Sequence, residues 1–439
     1  MINILTNVLS FILGLGLIIF VHEGGHLLMA KAFKVRVMTF SLGFGKRLWG
    51  FTRGGTDYRL SAIPFGGYVR MGGENPEEST GDPNEFMSKP RWQRILVYLA
   101  GPAMNFVLAI LLFACLFMVG IEVPNLPEMP PLVGGVEQGS PAAAAGLQRG
   151  DRIVAVRGEP TEDWQAVLME LITSPDRPVA LTVQRGDRTF QAVVTPRKDE
   201  KYEMGDTAGL YPSIRPQLTQ IQADSPAEKA GLQPGDEIVA LDGRPIADNK
   251  DFVAYIERKA GQRVDVEILR AGRTMVLPVV PRADGKVGKI GVGIGFFQRY
   301  PPGRALVQGA RYSVDLVRQT FEIIGKIFSR EMSARGALAG PIEIAAQSGA
   351  AARAGFKILL HMVGFLSIGI AIMNLMPIPI LDGGQTLILM IEGVIRRDLS
   401  LRLKEAINHV GFIMILLLTV MVLYFDLLKN LPKGLLPGS

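Results

Sequence analysis

The sequence predicts a polytopic α-helical membrane protein that also carries two copies of an α/β domain. The first observation is the distribution of apolar residues. They make up 48% of the 439 residues, and the excess lies in four blocks at 4–21, 95–120, 358–376 and 407–425. Each block reaches or approaches the ~20 residues that a helix needs to cross a bilayer. The second observation is that one stretch in the middle of the chain occurs twice, which indicates a duplicated domain.

Composition narrows the classes of function. Lys and Arg in the loops beside the apolar blocks explain much of the net charge of +6, so the charge requires no nucleic-acid partner. The only cysteine, Cys115, excludes an internal disulfide. The first apolar block has no basic segment before it and no small-residue cleavage site after it. We therefore expect it to be retained as a membrane span and not removed as a secretory signal.

The positions of basic residues predict the orientation in the membrane. Short loops rich in Lys and Arg stay on the cytoplasmic side. Such residues follow the first block and lie between the third and fourth: Lys31, Lys34, Arg36, Lys46, Arg47, Arg53, Arg59, Arg70, Arg396, Arg397, Arg402 and Lys404. We expect both termini and the stretch 121–357 to lie outside. The end of the first span then lies near the cytoplasmic boundary.

The duplicated stretch is an α/β pattern at 139–160 that recurs at 224–245, an offset of 85 residues without a gap. Ser-Pro opens a short helix, Ala-Gly-Leu closes it, Gly-Asp makes a turn, and an Ile-Val segment forms a buried strand. The pattern resembles the PDZ domain, which binds an extended peptide, such as a peptide C-terminus, at a sheet edge. The alternative is that both copies bind nothing and act as a spacer or steric lid.

The first apolar block ends in the motif "HEGGH". His22 and His26 lie at i and i+4, on one helical face and ~6 Å apart, so both imidazoles can bind one Zn²⁺. Glu23 is rotated away from the pair and suits a general base better than a ligand. The alternative is a hydrogen-bonded histidine pair at the membrane boundary, where uncompensated polar groups are costly. His361 and His409 stand alone in spans three and four, and we expect them to be packed or interfacial.

Asp382 is the expected third ligand. It lies in "NLMPIPILDGGQ" (374–385), which the third span carries to the depth of the two histidines. Pro377 and Pro379 cannot continue a regular helix, and the following Gly-Gly pair allows close approach of the backbone. Broken backbone at membrane depth is tolerated where it is buried or lines a cavity. In the alternative interpretation, Asp382 caps the following helix, which is compatible with metal binding.

Two further polar or glycine-rich elements lie at the same level. Asn105 is a polar residue at the cytoplasmic end of the second apolar block. It is expected either to contact substrate or metal ligands, or to form an interhelical hydrogen bond worth about 1 kcal/mol. The glycine-rich stretch "IPFGGYVRMGG" (63–73) alternates and predicts a strand edge, to which an unwound peptide could be added at Gly66, Gly67 and Tyr68.

Three motifs together resemble the signature of the site-2 protease family. They are HExxH in the first span, "GPAMN" at 101–105 in the second, and an N-x-x-P-x-P-x-LDG pattern from Asn374 to Gly383 in the third. Tandem PDZ domains between spans two and three narrow the resemblance to the bacterial regulator-of-sigma-E protease type. The resemblance covers nearly the whole chain. It implies a zinc metalloendopeptidase of the bacterial inner membrane, with its active site near the cytoplasmic side and its PDZ domains and termini in the periplasm.

The resemblance also implies roles for single residues. His22, His26 and Asp382 would hold one Zn²⁺, and Glu23 would be the catalytic base. The residues expected to bind substrate are Asn374, Pro377, Asn105, Gly66, Gly67 and Tyr68. The family's membrane-reentrant β segment corresponds to 56–73, with "SLGFG" (41–45) before it, and "LAGPIEIA" (338–345) to a conserved stretch before span three. Substrates would be single-span membrane proteins such as an anti-sigma factor already trimmed outside, and remnant signal peptides, with the PDZ domains as a size filter.

The chain departs from the family at the two positions inside HExxH. Both positions hold glycine in this chain, Gly24 and Gly25, whereas the family often has a bulky residue and one glycine. Each weakens a helix by about 1 kcal/mol relative to alanine. They either admit the substrate backbone close to the metal or are tolerated in a packed bundle.

A different class of function competes with the protease. A membrane-anchored PDZ adaptor would carry a structural or inactive metal site. Glu23 and the absence of an obvious fourth ligand favour the enzyme, because structural zinc sites are normally closed by four protein ligands.

The predicted organisation also includes an amphipathic helix within 301–333, lying either on the outer membrane surface or against the second PDZ domain. The expected segments are span one with HExxH (1–33), a cytoplasmic-side loop with the reentrant β segment (34–93), span two (94–120), the first PDZ domain (121–203), the second (204–292), an amphipathic linker region (293–356), span three with the LDG motif (357–384), a cytoplasmic-side loop (385–406), span four (407–428) and a C-terminal tail (429–439).

Overall fold

The computed structural model describes residues 2–430 except 76–78, 121–128, 200–201, 214–215, 247, 271, 286, 296–298, 330 and 334–338. The expected tail after Asn430 and the first eight residues of the expected first PDZ domain lie outside the described residues. The chain divides into two compact units. The described residues of the first fall within Met1–Leu116, Pro302–Glu322 and Leu338–Ser439, and those of the second within Phe117–Pro301 and Ile323–Ala337.

The first unit begins with two long helices separated by a β-hairpin. These elements are α1 (Ile2–Ala32), β1 (Val37–Arg53), β2 (Thr56–Met71) and α2 (Arg91–Val119). Gly54 and Gly55 both have positive φ and form the hairpin turn. The predicted β segment at 56–73 corresponds to β2, and the stretch 41–45 lies before it, within the partner strand β1.

The hairpin folds back on itself into four strand segments. Residues 39–42 of β1 pair with 67–70 of β2 on one side and with 57–60 on the other, and 49–52 of β1 complete the sheet. Gly43 has a φ of 88°, and a Cβ there would lie within 3.1 Å of the Ser61 carbonyl oxygen, so only glycine allows this fold. Within the described part of the chain, no strand pairs with the outer side of 67–70, which makes it an edge strand.

The second unit contains the two copies of the duplicated domain. The first copy comprises β3 (Val133–Val136), α3 (Pro141–Ala144), β4 (Arg152–Val156), β5 (Glu159–Pro160), α4 (Trp164–Ile172), β6 (Val179–Arg185), β7 (Arg188–Val194) and β8 (Leu210–Pro212). Its strands run in the order β5-β4-β6-β7, with β3 paired to β8 and Leu132 bridged to Arg152. The boundary expected at 203 is therefore too early, because β8 returns to pair with the first strand of its own domain.

The second copy repeats this topology. It comprises β9 (Gln217–Ile221), α5 (Pro226–Lys229), β10 (Glu237–Leu241), β11 (Arg244–Pro245), α6 (Asn249–Glu257), β12 (Val264–Arg270), β13 (Arg273–Val279), β14 (Arg282–Asp284), β15 (Val287–Lys289) and β16 (Val292–Gly295). Its main sheet has the order β13-β12-β10-β9-β16. Each copy has its own apolar core, with Ile153 and Leu181 buried in the first and Ile238 and Val266 in the second. Both are PDZ-like domains.

The two PDZ-like copies share an internal frame of polar contacts. The hydroxyls of Ser140 and Ser225 cap the short helices, each accepting a backbone hydrogen bond of 3.2 Å, as the Ser-Pro pattern predicts. Asp151 is fully buried and bound by Arg185 with Nε 2.6 Å from Oδ1. At the matching position, 85 residues on, Asp236 is 1% exposed and bound by Arg270 at the same 2.6 Å.

The rest of the chain is helical. The helices are α7 (Pro302–Phe328), α8 (Pro341–Ala354), α9 (Phe356–Leu375), α10 (Asp382–Ile395) and α11 (Leu401–Asn430). α7 is the expected amphipathic helix, with Ala305, Gly309 and Leu316 buried along one face. In the first unit, Gly309 packs against α2, where an added Cβ would lie 2.7 Å from the Ile110 carbonyl oxygen.

The last turn of α7 belongs to the second unit. Lys326 Nζ donates to Glu170 Oε2 at 2.7 Å and to Thr173 Oγ1 at 2.6 Å. Both acceptors lie in the first PDZ-like copy. These contacts place the end of α7 against the first copy, whereas packing against the second copy was one of the two expectations for this helix.

Four described helices are long and apolar enough to cross a membrane, as predicted. They are Leu5–Ala32, Arg91–Val119, Phe356–Leu375 and Leu401–Lys429. α9 ends at Leu375, one residue before the end of the apolar block at 358–376, so the expected segment 357–384 holds this span and the broken stretch with the LDG motif. The prolines at 377 and 379 break the helix, and the chain restarts as α10 at Asp382. The expected loop 385–406 therefore contains most of a helix.

Candidate metal centre

The two motif histidines lie on one face of α1, and their Nε2 atoms point toward each other. His22 and His26 are 9% and 8% exposed, and their Nε2 atoms are 3.3 Å apart. Gly101 of α2 lies directly beside both rings. A Cβ at this position would overlap Nε2 of His26 and lie 2.9 Å from Cε1 of His22. The first residue of "GPAMN" must therefore be glycine, a requirement that the motif's presence signalled but that sequence analysis did not derive.

Asp382 completes the cluster from the opposite side. Its Oδ2 lies 3.3 Å from Nε2 of His22 and 3.5 Å from Nε2 of His26. The same Oδ2 is buried and has no hydrogen-bond partner. Leu381 occupies the N-cap of α10, which has no side-chain cap hydrogen bond, so the carboxylate of Asp382 does not cap this helix. The side chain is aimed at the histidines instead.

The backbone around Asp382 is held in place by close packing of the broken segment, which is the turn at 376–381 between α9 and α10. Ile380 has a φ of 87°, a left-handed conformation that is costly for a β-branched residue. A Cβ at Gly383 would overlap the carbonyl oxygen of Leu375, and one at Gly384 would overlap that of Ile378. The Gly-Gly pair thus packs the start of α10 onto the turn that precedes it, which fixes the carboxylate.

The three ligand atoms fit a tetrahedral zinc ion. All lie within 4.8 Å of one another, and the pairwise distances given above are 3.3–3.5 Å. Ligands at ~2.0–2.1 Å from a tetrahedral zinc would be separated by ~3.3–3.4 Å. Within the described residues, no fourth His, Cys, Asp or Glu belongs to this cluster. Three protein ligands and an open fourth position are typical of catalytic zinc sites.

Groups around the ligands orient the imidazoles. Nδ1 of His26 donates to the carbonyl oxygen of Val97 at 2.8 Å, which leaves Nε2 free for a metal. Nδ1 of His22 lies 3.3 Å from the amide of Asn105, which is fully buried. Oδ1 of Asn105 has no partner, and a flip of this amide lets that oxygen accept the Nδ1 proton of His22. Asn105, expected to contact either substrate or ligands, lies against a ligand.

Glu23 lies outside the ligand cluster and beside the edge strand. Its carboxylate accepts a backbone hydrogen bond from Val69. A Cβ at Gly67 would lie 3.0 Å from Cγ of Glu23, so the strand passes closer to the helix than any other residue would allow. The edge strand 67–70 and the expected base are therefore direct neighbours.

The other residues expected to bind substrate surround this edge or the broken segment. Gly66 has a φ of 115°, and a Cβ there would overlap the Phe44 ring. Tyr68 stacks on the same ring, with centroids 6.0 Å apart. Asn374 lies half-buried in the last turn of α9, and Pro377 is exposed in the turn that follows. None of these four residues belongs to the ligand cluster.

The two glycines of the histidine motif and the other two histidines lie outside the ligand cluster. Gly25 faces α2, and a Cβ there would overlap the carbonyl oxygen of Ala100, whereas Gly24 has no atom within 4 Å of the position of a Cβ. His361 is packed in span three, with Nε2 2.9 Å from the Tyr312 hydroxyl, and His409 is exposed. Neither histidine joins the cluster, in line with the prediction for both.

Comparisons with known proteins place the chain among metalloproteases. The pattern that defines peptidase family M50 matches residues 10–418. The chain is 33% identical over 452 residues to the regulator of sigma-E protease RseP of Salmonella typhimurium, covering 97% of this chain and 99% of that protein. The corresponding protein of Escherichia coli is 33% identical over 455 residues, with the same coverage.

Relatives from other bacteria give the same result. A protein of Neisseria meningitidis that carries zinc metalloprotease in its name is 31% identical over 449 residues, with 97% of this chain and 99% of that protein covered. Among solved structures, the PDZ domain of an SdrC-like protein from Listeria monocytogenes covers 18% of this chain and 86% of its own, at 24% identity and a TM-score of 0.17.

Proposed function

This chain belongs to peptidase family M50, and from that membership and the metal centre we propose that it is a zinc-dependent intramembrane endoprotease. The observation that carries the proposal is Oδ2 of Asp382, a buried oxygen without a hydrogen bond, 3.3 and 3.5 Å from the two histidine nitrogens. It comes from the end of one apolar span and the histidines come from another. A site built from two spans acts on bonds at membrane depth.

Four side chains would carry the chemistry. His22, His26 and Asp382 would hold one Zn²⁺, which when bound supplies the Lewis acidity that polarises the scissile carbonyl and makes water more acidic. Glu23 takes a proton from the attacking water as the water oxygen bonds to the carbonyl carbon. The protonated Glu23 then gives this proton to the leaving amine as the C–N bond breaks. The Val69 amide holds Glu23 in orientation for both transfers.

The edge strand explains how a helical substrate becomes cleavable. A peptide bond within a helix is shielded by its own hydrogen bonds, so the segment must be extended before it is cut. Apart from the Val69 amide, which binds Glu23, residues 67–70 have no strand partner on their outer side, and an extended peptide can add there as a further strand. Asn374 and Pro377, on the broken segment that leads to Asp382, would contact the substrate near the same bond.

The buried neighbours of the histidines keep the ligands in position. The carbonyl of Val97 and the amide of Asn105 fix which nitrogen of each ring is free. Ser367 donates to the backbone oxygen of Asn105 at 2.9 Å and so ties α2 to α9 at this level. Asn105 acts through His22 and is therefore a positioning residue, not a substrate contact.

The relatives' names suggest the biological setting. We assign the chain to the bacterial inner membrane, with the metal centre near the cytoplasmic side and both termini and PDZ-like domains in the periplasm, because the basic loops follow the first and third spans. Relatives are named as regulators of sigma-E, so the substrate would be a single-span membrane protein such as an anti-sigma factor already trimmed outside. The PDZ-like domains would exclude substrates that keep large external domains, or bind their C-termini.

Cleavage by the purified protein tests the proposal. A single-span substrate with a short external segment is incubated with zinc-loaded protein in detergent, and the products are mapped by mass spectrometry. We expect a cut inside the apolar segment that Glu23→Gln abolishes and that Glu322→Gln, an exposed glutamate in the same unit, leaves intact. If zinc is bound but several such substrates stay uncut, the protein is instead a membrane-anchored PDZ adaptor.

A further inference from the structure

A cavity of about 610 Å³ lies in the first unit beside the metal centre. It is bounded by the chain that follows β2, by the starts of α2 and α11, and by α10. None of the metal ligands lines it. Its volume is within the range of sites that bind ligands in other proteins. Its polar lining includes Glu74, Asn75, Arg94, Gln385, Lys404 and Asn408.

The cavity adjoins the metal centre on two sides. Ile380 and Gln385 line it, and they lie on either side of Asp382 in the sequence. Tyr98 of α2 also lines it and directly follows Val97, whose carbonyl oxygen binds a motif histidine. The cavity therefore begins directly behind the residues that hold the ligands.

Both walls of the proposed cleavage site continue into this cavity. The edge strand 67–70 leads through Met71 to Glu74, whose Oε2 accepts a hydrogen bond of 3.2 Å from the Met71 amide. Burial raises the pKa of Glu74, and the charge of Glu23 adds to this rise. The opposite wall is the broken segment, which reaches the cavity with Ile380. A peptide held between the edge strand and the broken segment therefore leads toward the cavity.

The position of the cavity along the spans indicates which part of a substrate it meets. Arg94 lies in the first turn of α2, and Lys404 lies in the first turn of α11. Both helices start on the side of the membrane that the basic loops assign to the cytoplasm. The cavity is therefore on the cytoplasmic side of the bond that the metal centre would cut.

The cavity has a buried donor that lacks an acceptor. Arg94 is only 5% exposed, and its Nη1 donates to Sδ of Met87 at 3.2 Å. Its Nε is buried and has no hydrogen-bond partner among the residues that the structure describes. An unpaired buried donor is costly, so an oxygen acceptor from a ligand would stabilise this group. The backbone carbonyl of an extended peptide is an acceptor of this kind.

Contacts between α10 and α11 hold the cavity in shape. The Gln385 amide donates to Oδ1 of Asn408 at 3.1 Å. Nearby, Lys404 Nζ lies 2.7 Å from Oε1 of Glu392, which is fully buried. These bonds lie within the protein, so the cavity does not depend on an occupant for its shape.

We propose that this cavity binds the substrate segment on the cytoplasmic side of the cut bond, as an extended peptide whose backbone accepts a hydrogen bond from Arg94. This inference rests on the proposed protease function and names the part of the substrate that the site recognises. Contacts to a peptide backbone tolerate many side chains but require an extended chain. The preferred substrates are then single-span proteins in which the residues next to the span on the cytoplasmic side are unfolded.

Disulfide crosslinking locates the substrate segment without cleavage. Cys115→Ala removes the only native cysteine, and Glu23→Gln keeps the substrate uncut. Asn75→Cys or Asn408→Cys then places one cysteine in the cavity of the full-length chain. A single-span substrate carries one cysteine at each position in turn, through the cytoplasmic half of its apolar segment and into the flank. We expect both cavity cysteines to crosslink to the same short run of substrate positions.

Val410→Cys is the matched control for crosslinking. It lies two residues after Asn408, about 200° around α11, and is 56% exposed. We expect no crosslink from this position to the same run of substrate residues.

Blocking the cavity tests its effect on cleavage. In the Cys115→Ala protein with Glu23 intact, a bulky maleimide on Asn408→Cys should lower kcat/KM by about 10-fold or more relative to the unlabelled variant. The same label on Val410→Cys should leave cleavage unchanged. Bound zinc, measured in each labelled protein, shows whether the metal centre is intact.

The opposite results overturn the proposal. Crosslinks that are absent from the cavity cysteines, or equally strong from Val410→Cys, exclude a binding site here, as does cleavage that the label on Asn408→Cys leaves unchanged. Those results leave the protease proposal standing if the unmodified protein cuts the substrate. Specific crosslinks to a substrate that the zinc-loaded, unmodified protein never cuts would instead keep the cavity as a peptide site and contradict the protease proposal.

Discussion

Buried aspartates serve opposite purposes in the two units of this protein. Asp151 and Asp236 in the PDZ-like copies are 0% and 1% exposed, and each is bound by an arginine and by a backbone amide 2.8 Å away. Asp382 in the metal centre is also largely buried, yet its Oδ2 has no hydrogen-bond partner and faces two histidine nitrogens. All three carboxylates are buried, but only those of Asp151 and Asp236 are bound by hydrogen-bond donors on both oxygens.

The difference separates structural carboxylates from functional ones. A buried carboxylate whose oxygens are all hydrogen-bonded stabilises its own domain. Removing it leaves the charged and polar groups that bound it without a partner. At Asp382, the buried oxygen without a hydrogen bond faces the two histidines, and a metal ion held there would supply the missing bond.

The largest expected effect is that of Asp382→Asn. It should weaken zinc binding by more than about 100-fold, beyond what changes around the ligands of a metal cause, and abolish cleavage. The metal-free protein should keep its unfolding temperature to within a few degrees, because Oδ2 accepts no hydrogen bond and its neighbours are the two histidine nitrogens at 3.3 and 3.5 Å. Zinc titration and thermal unfolding without metal check both parts. A clear loss of metal-free stability would place Asp382 with the structural aspartates.

The matched changes in the PDZ-like copies should act on stability alone. Asp151→Asn and Asp236→Asn should each destabilise their own domain by about 2–3 kcal/mol. The cost stays below that of a fully buried pair because the arginine side chains are 39% and 26% exposed. Hydrogen exchange should accelerate in β4 and β6 for the first variant and in β10 and β12 for the second. Zinc content and cleavage of a short-ectodomain substrate should not change.

Gly101→Ala tests whether the histidines are as tightly enclosed as the structure shows. The added Cβ should displace the His26 ring and lower zinc affinity by about 10- to 100-fold. Gly369→Ala in α9, where nothing lies within 4 Å, is the control and should bind zinc normally. Zinc affinity measured by competition with a chelator distinguishes the two. Equal affinities would mean that the rings can move aside.

The smallest effect distinguishes the two PDZ-like copies from each other. Glu170 is partly desolvated, which raises a carboxyl pKa, but hydrogen bonds from Lys326 and Arg157 outweigh this and lower its pKa. At the matching position the second copy has Tyr255. A lowered pKa stabilises the folded state above the unfolded pKa of ~4.3, and this stabilisation is lost as the pH falls through the folded pKa.

Acidification should therefore weaken the first copy more than a Glu170→Gln variant, by up to about 1 kcal/mol, as is usual for partly exposed ion pairs. Urea unfolding from pH 7 down to about pH 2.5, followed by the emission of the buried Trp164 after Trp49→Phe and Trp92→Phe, checks this. The two proteins should differ at pH 7 and converge only below the lowered pKa of Glu170. A difference that persists at the lowest pH would mean that Glu170 acts by packing and not by charge.

Sequence patterns predicted the site better than its surroundings. Motif spacing predicted His22, Glu23, His26 and Asp382, and hydropathy predicted the four spans, because both signals are local or depend on residue type. Gly101 and the Val97 carbonyl were missed, since their roles depend on which helix passes the histidine rings. The domain boundary at 203 failed for the same reason: β8 pairs with a strand that is distant in sequence.

The two glycines of "HEGGH" show the limit of motif analysis. Sequence alone left two explanations for the pair, close approach of the substrate or tolerance in the bundle. The structure gives the two glycines different surroundings, with Gly25 against the Ala100 carbonyl and Gly24 beside an open apolar groove lined by Phe20, Leu28 and Tyr58. Neighbouring identical residues on a helix point about 100° apart, so a single explanation for both was not to be expected.

The edge position of residues 67–70 would also determine where a substrate can be cut. Backbone hydrogen-bonding groups of an extended chain repeat every second residue, and successive side chains point to opposite faces. A peptide that shifts along this strand keeps its pairing only in steps of two. Secondary products of a slipped substrate would then differ from the main product by two residues, never by one.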